Sequence, residues 1–421
     1  MKLPVEFEQR MRALLKADFD KFLISYESPA EKGLRVNTLK VSVEDFKRIS
    51  PFALEEIPWE KSGFYAPCDG KTVHHAAGLY YVQEPSAMCA APELEVKEGE
   101  RVLDLCSAPG GKGTQLAQYM HGSGILFLNE INFSRAKILS SNVERLGVKN
   151  AVVTCASPQK LSEEFEEYFD KILVDAPCSG EGMFKKEEAA IPEWSLYNVK
   201  LCAARQAEIL DCAYKMLSFG GRMVYSTCTF APEEDEEQIE SFLKNHADCK
   251  LLKMKKLYPH EIRGEGHFFA VIEKSGGGRL DKKLLSPTVK DKKLLSEYEK
   301  WESENLKIKF KNLHLAGDTL YSLPDNFPKI NVQTLRAGVR LGEFSGGRFE
   351  PSHSLAMCLN CQEAEGVEVD ESTALKYLRG LTFDCPDMKG WKLVLYNGFP
   401  LGWSKISGGI AKNKLPKGIR I

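Results

Sequence analysis

Between residues 95 and 240 the chain alternates short apolar runs with stretches whose apolar residues recur every three to four positions, which predicts strands followed by helices. The predicted strands are RVLDLC (101–106), GILFLNE (124–130), AVVTCA (151–156), KILVDAP (171–177) and GRMVYSTC (221–228). TQLAQYM, SRAKILSSNVERLG and a long stretch at about 197–218 are the intervening helices, and another begins after Pro232. Such alternation gives right-handed crossovers and a parallel sheet of α/β class. Ligands of these sheets bind beyond the carboxyl ends of the strands, so the residues that close each apolar run are the ones to examine for chemistry.

The flanks read differently. Phe7, Met11, Leu14, Phe19 and Phe22 share one face of an amphipathic helix over residues 5–23. Residues 35–92 are short and punctuated by glycine and proline, the pattern of a small mixed α+β subdomain. SGGG after Lys274 predicts a flexible linker, and residues 279–311 carry ten Lys/Arg against six acids. From about 325 the pattern is globular again, and the last seventeen residues hold Lys405, Lys412, Lys414, Lys417 and Arg420 with no acid, close to Trp403. That basic end, interleaved with Gly, Pro and Ile, predicts a surface facing nucleic acid. The expected domains are 1–92, 93–275, a basic linker or small subdomain at 276–325, and 326–421.

With 57 Lys+Arg against 59 Asp+Glu among 421 residues, bulk charge excludes affinity for nucleic acid or anionic membrane, so any such affinity must come from a local patch. No run approaches the ~18 apolar residues of a spanning helix, and charge in every turn of MKLPVEFEQRMRALL excludes a secretory signal. A cytoplasmic, reducing location is expected, with twelve cysteines as free thiols. Cys358-Leu-Asn-Cys361 with His353 lacks the four ligands of a structural zinc site, so no metal is expected. The acidic run Glu233–Glu237 is expected to form the solvated first turn of a helix after Pro232, and His74-His75 to be structural or RNA-facing.

Three strand ends carry reactive or glycine-rich text. Asp104-Leu-Cys106-Ser107-Ala108-Pro109-Gly110-Gly111-Lys112 follows the first strand, and its spacing matches neither a dinucleotide fingerprint nor a phosphate loop. Glu130 closes the second strand, where a carboxylate can accept from both ribose hydroxyls of an adenosine-type ligand. The fourth strand ends in Asp175-Ala-Pro-Cys178 and the fifth in Ser226-Thr-Cys228-Thr. Adjacent strand ends would bring two thiols and a carboxylate over one crevice, an arrangement suited to nucleophilic chemistry. The bland alternative is two buried cysteines that happen to end strands.

CSAPGGK (106–112), DAPCSGEGMF (175–184) and STCTFAPEEDE (226–236) resemble the motifs of the Sun/Fmu-type RNA cytosine-5 methyltransferases, and RVNTLK (35–40) and YYVQEPSAM (80–88) resemble that family's N-terminal signatures. The C-terminal text, from LRAGVRLGEFSGGRFEPSHSLAM to GFPLGWSKISGGIAKNKLPKGIR, is similar to the branch that acts on the RNA of the small ribosomal subunit. The resemblance implies a Rossmann-like class I fold dependent on S-adenosyl-L-methionine, an N-terminal RNA-binding subdomain and a C-terminal PUA-like RNA-binding module. It assigns the cofactor to Cys106 through Lys112, Glu130, Arg135 and Asp175. The family commonly has an acid near the adenine after the third strand; here Cys155-Ala-Ser157-Pro158 leaves Ser157 as the nearest match.

The resemblance also implies a mechanism. Cys228 adds to carbon 6 of cytosine, Asp175 contacts the amino edge of the base, and Cys178 takes part in product release. The expected activity is methylation of 16S ribosomal RNA at cytosine carbon 5, by a monomer acting on the RNA or the small subunit. The alternatives are the same reaction on transfer RNA and a catalytically silent RNA-binding assembly factor, and intact Cys178, Cys228 and Asp175 weigh against silence.

Overall fold

The structure, a computed structural model, describes residues 3–421. Its centre is an eight-stranded sheet. The strands are β1 (Arg101–Asp104), β2 (Ile125–Asn129), β3 (Ala151–Thr154), β4 (Phe169–Asp175), β5 (Leu217–Thr227), β6 (Cys249–Leu257), β7 (His267–Lys274) and β8 (Thr334–Ala337), in spatial order β6-β7-β5-β4-β1-β2-β3-β8. The first five are parallel, while β7 pairs antiparallel with β5, and β6 with β7. All five residues of β2 are buried, as expected of a strand covered on both faces, which explains why it reads as an unbroken apolar run. One face packs Leu103, Phe127, Ile172 and Tyr225 into a core, and the other packs Val102, Leu126, Leu173 and Val224.

The helices that matter to the site are α1 (Gly111–Met120), α2 (Phe133–Arg145), α3 (Pro158–Glu164), α4 (Leu196–Met216) and α5 (Glu236–Asn245). Because β1 leads to β2 on one side and β4 lies on the other, the strand order reverses between β1 and β4, where a crevice opens at the carboxyl edge.

Several expectations change. The helix over residues 5–23 is two helices, Val5–Leu15 and Phe19–Ser25, joined by a 3-10 turn. Their apolar face packs Phe7, Met11, Phe19 and Phe22 against Phe184, Trp194 and Phe230, the residues that follow the two cysteine motifs. The chain after Lys274 is pinned to the central domain: Arg279 donates to Asp170, Leu280 N to Glu167 O, and Lys282 pairs with Glu164. The expected boundary at 325 falls inside one antiparallel sheet, formed by Leu313–Ala316, Thr319–Ser322, Val339–Ser345 and Arg348–Pro351. From beyond the same boundary β8 reaches across to extend the central sheet, because the exposed edge of β3 offers unpaired backbone groups.

The N-terminal sheet (Glu55–Ile57, Glu60–Tyr65, Gly33–Val36, Tyr80–Val82) shares its core with Tyr377, Leu378 and Leu401 of the C-terminal region. His74 is buried at that contact, its ring 5.3 Å from Tyr396 and its Nε2 3.3 Å from Asn397 Nδ2. The C-terminal region is clamped to α2 through Glu144, which takes hydrogen bonds from Arg336 of β8 and meets His353 Nδ1 at 3.0 Å.

Candidate functional site

The strand ends converge on a cavity of about 830 Å³ whose wall includes Cys106, Glu130, Arg135, Asp175, Cys178 and Cys228. Cys178 follows β4 and Cys228 follows β5, and because these strands are paired neighbours, Asp175 lies directly beside Ser226. The two sulfurs are 3.2 Å apart, in contact and not bonded. The hydrogen bond to Cys228 and burial both hold the Cys178 thiol well above its ordinary pKa, and either sulfur can be the donor in the contact between them.

Asp175 is gripped from two sides. Its Oδ2 accepts from Lys112 Nζ at 2.9 Å and its Oδ1 from Ser226 Oγ at 2.8 Å, with His267 Nε2 of β7 3.9 Å from Oδ1. Burial disfavours the charged carboxylate, but the Lys112 ammonium and these contacts outweigh it, and the pKa stays below the usual range. Burial also lowers His267 to about 3, which leaves a neutral ring facing the carboxylate. The family resemblance places Lys112 at the cofactor; its side chain ends on Asp175, linking the glycine turn to the sulfur side of the cavity.

The glycine turn forms a buried polar cradle. Both carboxylate oxygens of Asp104 and the Ser107 hydroxyl are buried with no well-formed hydrogen bond, and burial, opposed by the nearby Ser107 hydroxyl, raises the Asp104 carboxyl to about 7. A Cβ on Gly113 would stand 2.6 Å from Ser107 Oγ and 2.8 Å from Asp104 Oδ2, so only glycine leaves this space. Gly110 opens α1 at φ 110°, a left-handed conformation that suits glycine. Glu130 Oε1 accepts from Asn132 N at 2.9 Å, and its Oε2 lies 3.1 Å from Arg135, which also donates to Ala108 O. A buried carboxyl and hydroxyl at the end of β1, and a carboxylate at the end of β2, fit an adenosine-type ligand with an amino-acid tail.

Ser157 does not line the cavity. Its hydroxyl caps α3 by accepting from Lys160 N, while Pro158 and Gln159 face the space. The acidic run is also reassigned: α5 starts only at Glu236, and Glu234 and Asp235 are fully buried, Asp235 accepting from Thr227 Oγ1 and lying 2.9 Å from Lys256. Sequence reasoning missed Arg35 of RVNTLK. Its buried guanidinium donates to Gly111 O, Thr114 Oγ1 and Gln118 Oε1, so the N-terminal sheet holds the first turns of α1. The signal was an arginine within an apolar strand, which requires buried acceptors.

Residues 91–272 match the family model described as 16S rRNA methyltransferase RsmB/F. Residues 3–85, 299–359 and 364–421 match the N-terminal, first C-terminal and PUA domains of RsmF. The ribosomal RNA small subunit methyltransferase F of Aeromonas salmonicida is 31% identical, over 99% of this chain and 96% of that protein. That of Serratia proteamaculans is 32% identical, over 99% and 96%. The chain belongs to the ribosomal RNA small subunit methyltransferase F family. A methyltransferase homolog from Pyrococcus horikoshii is 33% identical with a TM-score of 0.55, covering 61% of this chain and 90% of that one. NSun6 from the same organism, determined with SFG, has a TM-score of 0.60 at 22% identity, covering 65% and 99%, a likeness of fold. The chain thus has a Rossmann-like methyltransferase domain between an N-terminal domain and a C-terminal PUA domain. Among its described residues no helix is long and apolar enough to cross a membrane.

Proposed function

We propose that this methyltransferase transfers a methyl group from S-adenosyl-L-methionine to carbon 5 of cytosine in 16S ribosomal RNA, through a covalent bond between Cys228 and the base. The observation that carries this reading is the sulfur pair, 3.2 Å apart in one cavity with Asp175 and Glu130. Transfer to an exocyclic nitrogen needs no such pair. Carbon 5 of cytosine is a poor nucleophile until a second nucleophile saturates the ring.

When bound, the cofactor supplies an electrophilic methyl group on a sulfonium; Glu130 would hold its ribose, and Asp104 with the 106–112 turn its amino-acid end. Cys228 Sγ forms a bond to carbon 6, and the C5–C6 π pair becomes available at carbon 5. Asp175 accepts from the exocyclic amino group, and its pairing with Lys112 fixes it as an ionised acceptor. Once carbon 5 carries the methyl group, its proton leaves to solvent in the open cavity, the C5–H pair restores the C5–C6 double bond, and the C6–S pair departs with Cys228 as a thiolate. Cys178, 3.2 Å away with its thiol pKa held up, stands where it can give its proton to that leaving sulfur. The target base must leave its stack, at a cost of a few kcal/mol in a duplex and less in a loop. The C-terminal basic surface, where Lys405 and Lys414 each lie 5.2 Å from the Trp391 ring, supplies phosphate contacts away from the cavity.

Cys228→Ala tests the assignment. Methyl transfer to 16S RNA should vanish while S-adenosyl-L-homocysteine still binds, and normal turnover by this variant would refute it.

A further inference from the structure

The two cysteine loops brace each other. Glu181, three residues after Cys178, accepts at Oε2 from Phe230 N (2.9 Å), two residues after Cys228, and at Oε1 from Trp194 Nε1 (3.0 Å). Glu234, six residues after Cys228, accepts at Oε2 from Ser179 N (3.0 Å), the residue after Cys178, and from Gln206 Nε2 (2.8 Å). Gln206 also donates to Pro177 O, on the other side of Cys178. Between these ties, Ser179 Oγ meets Thr229 Oγ1 at 2.8 Å and Gly182 N donates to Cys228 O at 2.8 Å. The loops are so close that a Cβ on Gly182 would stand 2.9 Å from Cys228 O.

We propose that Glu181 and Glu234 are positioning residues for the sulfur pair, each carried by one cysteine loop and fixing a backbone N–H of the other. Both are buried, at 1% and 0% exposure, and among the described residues neither forms a salt bridge. Carboxylates held in this way are expensive to bury, and a fold that only needed packing would place apolar side chains there. The reciprocal arrangement sets a distance: moving one loop along its strand breaks a tie to the other, so the sulfurs hold their separation while substrate enters and leaves. Lys112 and Ser226 position Asp175 independently, so the brace acts on sulfur geometry and leaves the cofactor side untouched. The inference rests on Cys178 and Cys228 being the reacting pair.

The test reads sulfur proximity without RNA. Diamide oxidises two neighbouring thiols: two S–H bonds break, one S–S bond forms, and the two electrons and two protons reduce the diazene to a hydrazine. In the unaltered protein, a peptide linking Cys178 to Cys228 should form readily and be identified by mass. Glu234→Met keeps the volume and removes the acceptor, and should slow linkage at least tenfold. Glu234→Gln keeps an oxygen for Ser179 N and should stay within twofold. Glu181 uses both oxygens, so Glu181→Gln should fall between, and it serves if Glu234→Met fails to fold. Glu237→Gln, exposed in the same run, should change nothing. The kcat for methyl transfer should follow the same order, with KM for RNA and affinity for S-adenosyl-L-homocysteine within twofold. Folded Glu234→Met and Glu181→Gln proteins that link at the normal rate would overturn the brace. Failure of the unaltered protein to link would overturn the sulfur pair itself, and with it the proposed function.

Discussion

Replacing Lys112 with methionine removes the cation that keeps Asp175 ionised while retaining most of the side-chain volume. The pair is 2.9 Å long, and the Lys112 side chain is 9% exposed against 33% for Asp175. Unit charges at that distance interact by about 6 kcal/mol at the effective dielectric appropriate to such sites. Water reaching the open side of Asp175 screens part of this, so about 3 kcal/mol is the discounted figure. The sign follows from the chemistry: Asp175 accepts most strongly from the base when ionised, and without Lys112 burial drives its pKa up. Activity lost on acidification should therefore be lost at a higher pH in Lys112→Met than in the unaltered enzyme. Single-turnover methyl transfer across pH, at saturating RNA and cofactor, measures this shift. An acid limb at the same pH as in the unaltered enzyme would show that the Lys112 contact does not govern Asp175.

Three further outcomes follow from packing and charge. Gly113→Ala puts a Cβ 2.5 Å from Leu128 Cδ2 as well as against Ser107 and Asp104, so S-adenosyl-L-homocysteine affinity measured by calorimetry should fall about tenfold or more, from a strain of roughly 1–3 kcal/mol. Phe7→Ala empties the space beside Phe184, Trp194 and Phe230, and should cost about 3–5 kcal/mol in denaturant unfolding and lower kcat, because both cysteine loops lean on that cluster. Replacing Lys405, Lys412 and Lys414 with alanine should reduce the salt dependence of RNA binding by about one unit of slope for each phosphate no longer neutralised, leaving cofactor affinity unchanged. Truncation after residue 275 is a poorer probe of the same surface: it strips β8 from the edge of β3 and removes Arg336 and His353 from Glu144, so it should destabilise the methyltransferase domain itself.

The central sheet and both cysteine motifs are legible because buried parallel strands write themselves as apolar runs, and the residues closing those runs must lie at one edge. What stays hidden depends on partners distant in sequence. Glu234 and Asp235 read as a solvated helix turn, since nothing local marks Ser179, 55 positions away, as the donor that requires one of them to be buried. Thr334–Ala337 is too short for a pattern, and its pairing with β3 is set by an edge far upstream. Lys112 sits in a glycine-rich turn that suggests ligand contact, yet its long side chain reaches the end of the neighbouring strand β4. Ser157 looks available to an adenine until the capping of α3 by its hydroxyl, beside Pro158, is seen.

The most direct measurement is the fate of the base in Cys178→Ala. Incubated with S-adenosyl-L-methionine and 16S ribosomal RNA, this variant should accumulate a protein–RNA complex stable to denaturing electrophoresis, and digestion should yield a methylated cytidine attached to the peptide containing Cys228. Turnover to free methylated RNA with no retained complex, or attachment through any residue other than Cys228, would contradict the account.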